Sequence, residues 1–536
     1  MATKYAGKSL PTEDKLRGGY YTPDAIAKFV ADWVGEEGSI FLEPSCGDGQ
    51  ILQYLQAKGA ATGVELFESE VIHARARTSA KVIHSDFFEW FTKDKHAHFD
   101  GVAGNPPYIR FGSWDEKHRQ LAFALMESEG LKPTRLTNAW MPFVVASIAA
   151  VREGGRVGLV VPAELLQVGY AAQLRAYLVD HCFDITILSF RELVFPGILQ
   201  EVVLLLATKG MGPASIRSIE VQNAAGLVNA QVAGAAVRAP LHETEKWTKY
   251  FLNARQIELL RTLRMDPRLS PFKEFAKVNV GVVTGRNSFF CLNKADAEQA
   301  RVSKHTVPVL TKSAQFTGVA FTKSDIEALT ESGAKTHLLA VEQDFDLQSD
   351  KYLTSYVQNG ELEEVNLGYK CRIRKSWWSV PSLAIPNGFM LRQVSNYLRI
   401  ISNEAGATST DTVHRVFANE GVNMRALSVA ALNSATLAMT EILGRTYGGG
   451  LLEVEPSETI QLPIPHPAKV ESTLIDAVDA LLREGNLTKA IELVDKKLLV
   501  EKLGFTSSEV HEIREAGELL RLRRLGRGSS SAKVAP

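Results

Sequence analysis

Four consecutive residues, Asn105, Pro106, Pro107 and Tyr108, combine types suited to chemistry on a nitrogen atom. An exocyclic amine on an aromatic ring is a poor nucleophile, because its lone pair is delocalised into the ring. The Asn105 side-chain oxygen and the Pro106 carbonyl oxygen, on a backbone stiffened by two prolines, can accept both N–H bonds and localise that pair on nitrogen. The Tyr108 ring can stack on an extruded base. We therefore predict that all four residues are catalytic in methyl transfer to such an amine.

A second segment, Glu43 to Gly49 (EPSCGDG), lies between a predicted strand and a predicted helix. Glycines in such a turn allow the backbone to approach a nucleotide-like ligand, although a tight turn without a ligand has the same composition. The segment lacks the full Gly-x-Gly-x-x-Gly pattern, which disfavours a dinucleotide. Its candidate cofactor-binding residues are Glu43, Pro44, Cys46, Gly47 and Gly49.

Two further carboxylates follow the next two predicted strands. Glu65 lies 22 residues after Glu43 at a strand end, where it can accept both hydroxyls of a ribose, with Leu66 beside it. Asp86 follows the third strand and can accept the amine of a cofactor adenine, with Phe87 packed on that ring. A second interpretation of Asp86, as a helix N-cap, remains open.

These motifs, in this order, resemble the gamma-class amino-methyltransferases of DNA, which include the stand-alone adenine-N6 methylases of type II restriction-modification systems. The resemblance covers residues 1–210. It implies S-adenosylmethionine as cofactor, double-stranded DNA as substrate, no metal, and a flipped adenine in a short sequence as the target. In that family an aromatic-Thr-Pro element closes over the cofactor methionine, and Tyr21, Thr22 and Pro23 within GYYTP match it. The same residues also fit the start of a helix.

The resemblance also places an aromatic ring against the flipped base. Phe195 provides that ring, unless it is a core residue of a hairpin. A cognate restriction endonuclease is expected by association, with methylation protecting the site from it. An RNA adenine methyltransferase, a protein glutamine N-methyltransferase and a cytosine-N4 methylase stay open as alternatives, because the same two acceptors suit each amine. Asn rather than Ser at the first position of the motif favours adenine.

The elements that must position these residues form an alternating pattern from Ser39 to Lys209. Short apolar runs alternate with amphipathic stretches, which is typical of a mostly parallel sheet covered on both faces. The pattern predicts an α/β, Rossmann-like domain with seven strands: Ile40–Glu43, Thr62–Glu65, Lys81–His84, Phe99–Ala103, Arg156–Val161, Ile185–Phe190 and Val202–Thr208. Predicted covering helices include Asp24–Val34, Gln50–Lys58, Glu68–Ser79 and Tyr170–Asp180.

Three domains or segments are predicted along the chain. A catalytic methyltransferase domain spans residues 1–239, a mixed α+β target-recognition domain spans 240–470, and a helical segment spans 471–536. Within the first, residues 211–239 are rich in Ala, Gly and Val and are interpreted as a connector or a small edge sheet. The small polar residues from Gly526 onward predict a disordered tail.

Candidate DNA contacts lie in the second predicted domain. The segment from Lys277 to Phe290 (KVNVGVVTGRNSFF) is interpreted as a strand and loop that present two polar side chains. Residues 366–403 hold six Lys or Arg and no Asp or Glu, with two tryptophans, which is typical of a phosphate-contacting patch. The alternative is a solvated basic loop packed by two core tryptophans, Trp377 and Trp378. The candidate DNA-binding residues are Arg286, Asn287, Lys370, Arg372, Arg374 and Lys375.

Composition limits the other classes of function. The 60 Lys and Arg residues nearly balance the 61 Asp and Glu residues, so affinity for nucleic acid must come from local patches. The four cysteines are far apart and form no Cys-x-x-Cys pair, which predicts neither a disulfide framework nor a cysteine zinc site. The apolar runs are too short or too interrupted to span a bilayer, and the N-terminus lacks the apolar core of a signal peptide. We therefore expect a cytoplasmic protein without membrane association.

Overall fold

A computed structural model describes residues 21–195, 201–230, 232, 246–381, 383–447 and 450–532. The chain divides into two units. The first contains the described residues up to Phe251, with two short later segments, and the second contains residues 252–446 and 451–524. The boundary therefore falls twelve residues beyond the predicted one at Ala239. The helices after residue 470 belong to the second unit up to Arg524 instead of forming a segment of their own.

In the part of the first unit that the structure describes, one mixed sheet has eight strands in the order β3-β2-β1-β4-β5-β7-β6-β8. All neighbouring strands pair in parallel except those with β7, which runs antiparallel to β5 and β6. The bounds are β1 Ile40–Glu43, β2 Ala60–Glu65, β3 Lys81–His84, β4 Phe99–Gly104, β5 Val151–Pro162, β6 Cys182–Phe190, β7 Val202–Lys209 and β8 Ser215–Val221. The prediction of seven strands is thus one short, because Ser215–Val221, in the segment interpreted as a connector or small edge sheet, joins the main sheet beside β6.

The sheet is buried on both faces, as the alternating pattern predicts. In β5, Val157 and Leu159 pack into one core cluster, whereas Val160 packs into a second cluster on the opposite face. Successive side chains of a strand point to opposite faces, so a strand that is apolar at every position needs a covering layer on each side. The strand starts at Val151, five residues before the predicted start at Arg156. The prediction began too late because residues 152–154 (REG) are exposed and have the composition of a turn.

Helices cover both faces of this sheet. Their bounds are α1 Asp24–Val34, α2 Leu52–Gln56, α3 Glu68–Arg77, α4 Phe87–Trp90, α5 Glu116–Ser128, α6 Trp140–Ala150, α7 Glu164–Gln167 and α8 Ala172–His181. The four predicted helices are all present, and every boundary lies within two residues of the predicted one; helix α2 is two residues shorter at each end. Helix α6 is buried along its whole length and packs in the first core cluster.

The second unit is mixed α+β, as predicted. Its described residues form four sheets, with the orders β10-β19-β15-β17-β13, β11-β14-β12-β18, β16-β21-β20 and β22-β9. The strands are β9 Leu269–Pro271, β10 Ala276–Asn279, β11 Cys291–Leu292, β12 Thr306–Leu310, β13 Ala320–Phe321, β14 His337–Leu339, β15 Gly388–Leu391, β16 Gln393–Val394, β17 Ile400–Asn403, β18 Thr408–Ser409, β19 Val413–Ala418, β20 Arg445–Tyr447, β21 Leu451–Glu453 and β22 Pro463–Pro465. Most of these strands are short, which explains why the sequence pattern beyond Pro240 is irregular.

The helices of the second unit are α9 Ala254–Leu263, α10 Asn287–Phe290, α11 Lys294–Gln299, α12 Lys323–Glu331, α13 Lys351–Leu362, α14 Tyr369–Arg372, α15 Met424–Ala430, α16 Ser434–Leu443, α17 Pro456–Thr459, α18 Ser472–Arg483, α19 Leu487–Val494 and, up to Arg524, α20 Ser507–Ala532, with a π-helix at Asp495–Lys502. Helix α20 extends through residues 526–532, within the stretch for which the composition predicts a disordered tail. Residues 533–536 lie outside the described part of the chain.

Among the described residues, no single helix has the length and apolar composition needed to cross a membrane. Helices α15 and α16 meet those criteria only as a pair, and the pair bends by 77° at its junction. Nearly all of their side chains are buried.

Candidate active site

The carboxyl ends of β1, β2, β3 and β4 meet at one edge of the first unit's sheet and surround a cavity of about 540 Å³. Neighbouring parallel strands end at the same edge, so residues far apart in sequence gather there. We call this space the strand-end cavity. Its lining includes the predicted residues Tyr21, Thr22, Glu43, Pro44, Cys46, Gly47, Glu65, Leu66, Asp86, Phe87, Asn105 and Pro107.

Glu43, at the end of β1, is the most deeply buried carboxylate of the cavity. It is 2% exposed, and its Oε2 atom has no hydrogen-bond partner within the described residues. Burial, with the nearby charges of Asp48 and Glu65, raises the pKa of Glu43 well above its usual value. A buried acceptor without a partner costs free energy, so its position on a cavity wall indicates a ligand that donates to it or carries positive charge.

The turn after β1 depends on two glycines for different reasons. Gly47 has a φ of +51°, and its backbone N–H donates to Glu65 Oε2 at 2.9 Å. Gly49 has a φ of +82°, and a Cβ there would lie 3.1 Å from the Ala74 Cα of helix α3. Gly47 therefore shapes the cavity wall, whereas Gly49, predicted as a cofactor contact, lies against helix α3 and allows it to pack closely.

Glu65, at the end of β2, is fixed by two backbone donors. Its Oε1 accepts from Phe67 N at 2.8 Å, and its Oε2 accepts from Gly47 N at 2.9 Å. Burial raises its pKa, although these hydrogen bonds act in the opposite direction. A carboxylate has about four lone-pair positions, so two remain for the hydroxyls of a ribose.

Asp86, after β3, fulfils the N-cap interpretation and still faces the cavity. Its Oδ1 accepts from Phe88 N at 2.8 Å and from Glu89 N at 3.2 Å, which caps helix α4. Its Oδ2 lies 3.6 Å from the Nδ1 atom of His118. The two interpretations are compatible, because capping uses one oxygen and leaves the other toward the cavity.

Phe87 forms part of the cavity wall from a fixed position. The side chain is buried and stacks on Phe91 and Phe143, with ring centroids 5.3 Å apart in each pair. Packing on two sides restricts its rotamer, so the face toward the cavity is preorganised.

Asn105, after β4, is held by both ends of its side-chain amide. Its Nδ2 donates to Thr22 Oγ1 at 3.2 Å, and its Oδ1 lies 3.0 Å from the Tyr108 hydroxyl. The Tyr108 hydroxyl also lies 3.1 Å from the Val160 carbonyl oxygen, so its proton is shared between two acceptors. These contacts fix the orientation of the amide, and an amide oxygen has two lone pairs with which to accept.

The aromatic-Thr-Pro element borders the cavity at the start of α1. Thr22 is buried and contacts Asn105, whereas Tyr21 is exposed and donates its hydroxyl to Glu70 Oε1 at 3.2 Å. The Pro23 carbonyl accepts from Ile26 N and Ala27 N, which starts the helix and also fulfils the second interpretation of this element. The preceding two residues of the predicted element, Gly19 and Tyr20, lie outside the described residues.

Several lining residues were missed by the sequence analysis. Glu70 on α3 has its Oε2 buried without a hydrogen-bond partner among the described residues. A group near the start of α5 also lines the cavity: Ser113, Trp114, Asp115 and His118. These residues follow no strand end of the predicted pattern, so only their three-dimensional position identifies them.

Phe195 does not line the strand-end cavity. It is 3% exposed and packs in the second core cluster with residues of α1 and β7. The alternative interpretation, a core side chain, therefore describes the observed position, and stacking on a base from the surface does not. The rest of the predicted motif, Pro196 and Gly197, lies outside the described residues.

The candidate DNA contacts in the second unit divide into exposed and anchored residues. Lys370, Arg372 and Lys375 are exposed. Arg374 is turned inward, and its Nη2 donates to the carbonyl oxygens of Val283 and Thr284 at 2.7 and 2.8 Å. Burial lowers the pKa of Arg374, as expected for a partly desolvated cation.

The loop residues Arg286 and Asn287 are exposed as predicted, but each has a structural partner. Arg286 Nη1 donates to the Glu363 carbonyl at 2.9 Å, and Asn287 Oδ1 accepts from the Thr284 hydroxyl. Both residues therefore help to hold the loop in which they lie.

The basic stretch over residues 366–403 is smaller at the surface than its sequence indicates. Arg392 pairs with Glu453 and Glu455, and Arg399 donates to backbone carbonyls between Phe316 and Gly318. Trp377 is buried and packs on Phe289 and Phe290, in agreement with the alternative of core tryptophans. Three of the six cations remain as exposed side chains.

Two family models match successive parts of the chain. The model described as N-6 DNA Methylase matches residues 5–232, and the model described as Type II methyltransferase M.Eco57I, C-terminal domain, matches residues 244–499. The boundary between the two matches lies close to the boundary between the two structural units.

Two curated relatives are similar over most of their length. The type II methyltransferase M.AccI of Acinetobacter calcoaceticus is 24% identical over 481 residues, which covers 84% of this chain and 86% of the relative. The type II methyltransferase M.XamI of Xanthomonas campestris pv. amaranthicola is 24% identical over 475 residues and covers 84% and 85%. A solved structure of the type IIL restriction-modification enzyme MmeI in complex with DNA has a similar fold, with a TM-score of 0.58 at 10% identity, over 93% of this chain and 75% of that one.

Proposed function

Because this chain is an N6-adenine DNA methyltransferase of the kind found in restriction-modification systems, we propose that it uses S-adenosylmethionine to methylate one adenine within a short duplex sequence. The observation that carries this proposal is the position of the Asn105 amide. It lies on the wall of the strand-end cavity, and Thr22 and Tyr108 fix its orientation. A fixed acceptor beside a ligand cavity is what transfer to an exocyclic amine requires.

The residues of the strand-end cavity fit S-adenosylmethionine. The unpartnered Oε2 of Glu43 suits the positively charged methionine portion, Glu65 suits the ribose hydroxyls, and Asp86 suits the adenine amine. When bound, this cofactor supplies a methyl group on a positively charged sulfur that leaves as a neutral thioether. Burial raises the pKa values of Glu43 and Glu65, so these two carboxylates would be stabilised in their charged form by a positively charged ligand.

The chain's own residues then act on the nucleotide. The Asn105 Oδ1 atom and the Pro106 carbonyl oxygen accept the two N–H bonds of the adenine amine and direct its lone pair toward the methyl group. The Tyr108 ring stacks on the flipped base, with its hydroxyl held by Asn105 and Val160. Catalysis in this arrangement comes from positioning and from hydrogen bonds that are preorganised before the reaction.

Sequence reading is assigned to the second unit, where Arg286, Asn287, Lys370, Arg372 and Lys375 are proposed DNA contacts. All five are exposed. We exclude Arg374 from this set because its side chain is turned inward and donates to two backbone carbonyls, whereas Arg286 is exposed. Methylation of the recognised sequence would protect it from a cognate restriction endonuclease.

The test is modified-base sequencing of DNA from cells that express the wild-type chain or its Asn105→Ala variant. We expect N6-methyladenine in one short sequence with the wild-type chain and none with the variant. Wild-type DNA without modified adenine, together with methylated RNA or methylated protein glutamine from the same cells, would contradict the proposal. Equal modification by both chains would contradict the role of Asn105.

A further inference from the structure

Large apolar side chains are exposed together in one part of the second unit. Leu367, Tyr369, Ile373 and Ile385 are 61%, 65%, 60% and 58% exposed. Scattered apolar residues on a surface are ordinary, but several in one short stretch mark an interaction site. These four lie within nineteen residues of each other in the sequence, and Leu367, Tyr369 and Ile373 lie on or directly beside helix α14.

The outward direction of these side chains follows from two anchors on the other side of α14. Cys371 is buried, with its thiol 3.8 Å from the Thr284 carbonyl oxygen, and Arg374 donates to the same oxygen at 2.8 Å. Residues three apart in a helical turn share a side, so both anchors face inward. Tyr369 and Ile373, four apart, then share the outer side.

A second segment lies against this turn. Gly285 has a φ of +88°, and a Cβ there would lie 3.0 Å from the Lys370 Cβ and 3.1 Å from the Cys371 Sγ. A glycine at this position therefore allows the loop around residues 283–286 to approach α14 closely. Val283 in that loop is 37% exposed and adds to the apolar surface.

Cations are interleaved with the exposed apolar residues. Lys370, Arg372 and Lys375 are exposed, and no Asp or Glu occurs between residues 366 and 403. The nearest acidic residues in sequence are Glu363 and Glu364, at the end of α13. We call Leu367, Tyr369, Lys370, Arg372, Ile373 and Lys375 the apolar-basic face.

We propose that the apolar-basic face binds duplex DNA, with Tyr369 and Ile373 in contact with base edges and the three cations on the flanking phosphates. The inference rests on the proposed function and adds that apolar contacts, and not only charged ones, distinguish the recognised sequence. DNA offers a binding partner for each kind of side chain. Phosphates attract the cations, while the thymine methyl group and the faces of base steps accept apolar side chains. An apolar protein surface would instead have to desolvate three cations without carboxylates to compensate them.

The test compares two classes of substitution on full-length protein. Binding is measured over a series of salt concentrations, to a duplex with the sequence identified by modified-base sequencing and to a scrambled duplex. Lys370→Ala and Arg372→Ala should weaken binding to both duplexes and lower the slope of log K against log salt by about 0.9 each. Tyr369→Ala and Ile373→Ser should leave that slope unchanged and reduce the ratio of specific to non-specific affinity about fivefold to a hundredfold.

Leu362→Ala is the matched control, because Leu362 is an exposed apolar residue next to Glu361 and Glu363 and outside the face. It should change neither the slope nor the affinity ratio. Unchanged specificity in both apolar variants would overturn the proposal. It would also be overturned if these variants abolished self-association in sedimentation and bound DNA normally, since the face would then dock a second copy. A wild-type chain that methylates no DNA would instead contradict the proposed function, whatever the variants do.

Discussion

The strand-end cavity and the apolar-basic face place charged side chains by different means. The cavity takes its carboxylates from successive parallel strands, and each of Glu43, Glu65 and Asp86 occupies the position that its strand end dictates. The face lies on a four-residue helix and a loop, where Arg372 is exposed and Arg374 is an internal anchor. Two residues apart, the same side-chain type has opposite roles. Regular elements therefore determine the first site, and local tertiary contacts determine the second.

Substitution of Asn105 should have the largest effect. Asn105→Ala removes an acceptor needed for transfer, and we expect kcat to fall by about 10²- to 10³-fold. Affinity for S-adenosylmethionine should change only a few-fold, because Glu43, Glu65 and Asp86 remain. Single-turnover transfer of labelled methyl and calorimetric titration of the cofactor separate the two effects. A loss of cofactor affinity as large as the loss of rate would show that Asn105 acts in cofactor binding and not specifically in methyl transfer.

Glu65→Gln should weaken cofactor binding more than it slows transfer. It replaces charge-assisted hydrogen bonds worth about 1.5–3 kcal/mol, equivalent to a tenfold to hundredfold rise in Kd. Glu68→Gln is the control, because Glu68 is exposed three residues further along the chain. If both variants raised Kd equally, the strand-end position of Glu65 would have no special importance. Calorimetry on the two variants decides between these outcomes.

Stability measurements can test the different roles of Arg374, an internal anchor, and Arg372, an exposed residue of the apolar-basic face. Arg374→Ala removes the Arg374 donor from the Val283 carbonyl, leaves the Thr284 carbonyl with the weak Cys371 thiol donor, and should lower the free energy of unfolding by about 2–3 kcal/mol. Arg372→Ala removes an exposed side chain and should change it by less than about 0.5 kcal/mol. Urea unfolding of both variants provides the comparison. Equal effects would contradict the distinction between anchor and surface residue.

Glu43 should reduce stability in the absence of cofactor, with a defined dependence on pH. Its pKa is raised in the folded state, so above the pKa of the unfolded chain the unfolded state binds fewer protons than the folded state. Stability is then lost as pH rises from that value toward the folded-state pKa. Glu43→Gln should therefore increase stability at pH 8 by on the order of 1 kcal/mol and leave it almost unchanged at pH 4.

The same Glu43→Gln variant should bind S-adenosylmethionine more weakly, because it removes the negative charge that compensates the cofactor. Thermal unfolding at the two pH values, with and without cofactor, measures both effects. A variant that is less stable at pH 8 without cofactor would show that Glu43 is a structural residue. Glu43 would then resemble Arg374 of the second unit, whose side chain holds the fold together, and would not be a residue kept for a ligand.

The sequence alone determined most of the first unit. The strands β1 and β3 have their predicted bounds, and the motifs after four strands gather at one cavity, because neighbouring parallel strands end at the same edge. The eighth strand was missed, since residues 215–221 lack the continuous apolar run of a central strand. Glu70 and His118 were also missed, because they line the cavity from helices whose sequence pattern does not indicate which side faces a ligand.

In the second unit only the tertiary structure decided the roles of individual residues. Six cations without nearby acids in sequence predict one basic patch, yet three of them bind backbone carbonyls or distant carboxylates. Arg392, for example, reaches Glu453, which is 61 residues away in the chain. The sequence specifies that a cation is present, but its partner depends on which segments fold against it. Periodicity therefore reveals a site built on strand ends, whereas a site built on short loops becomes visible only when the chain is folded.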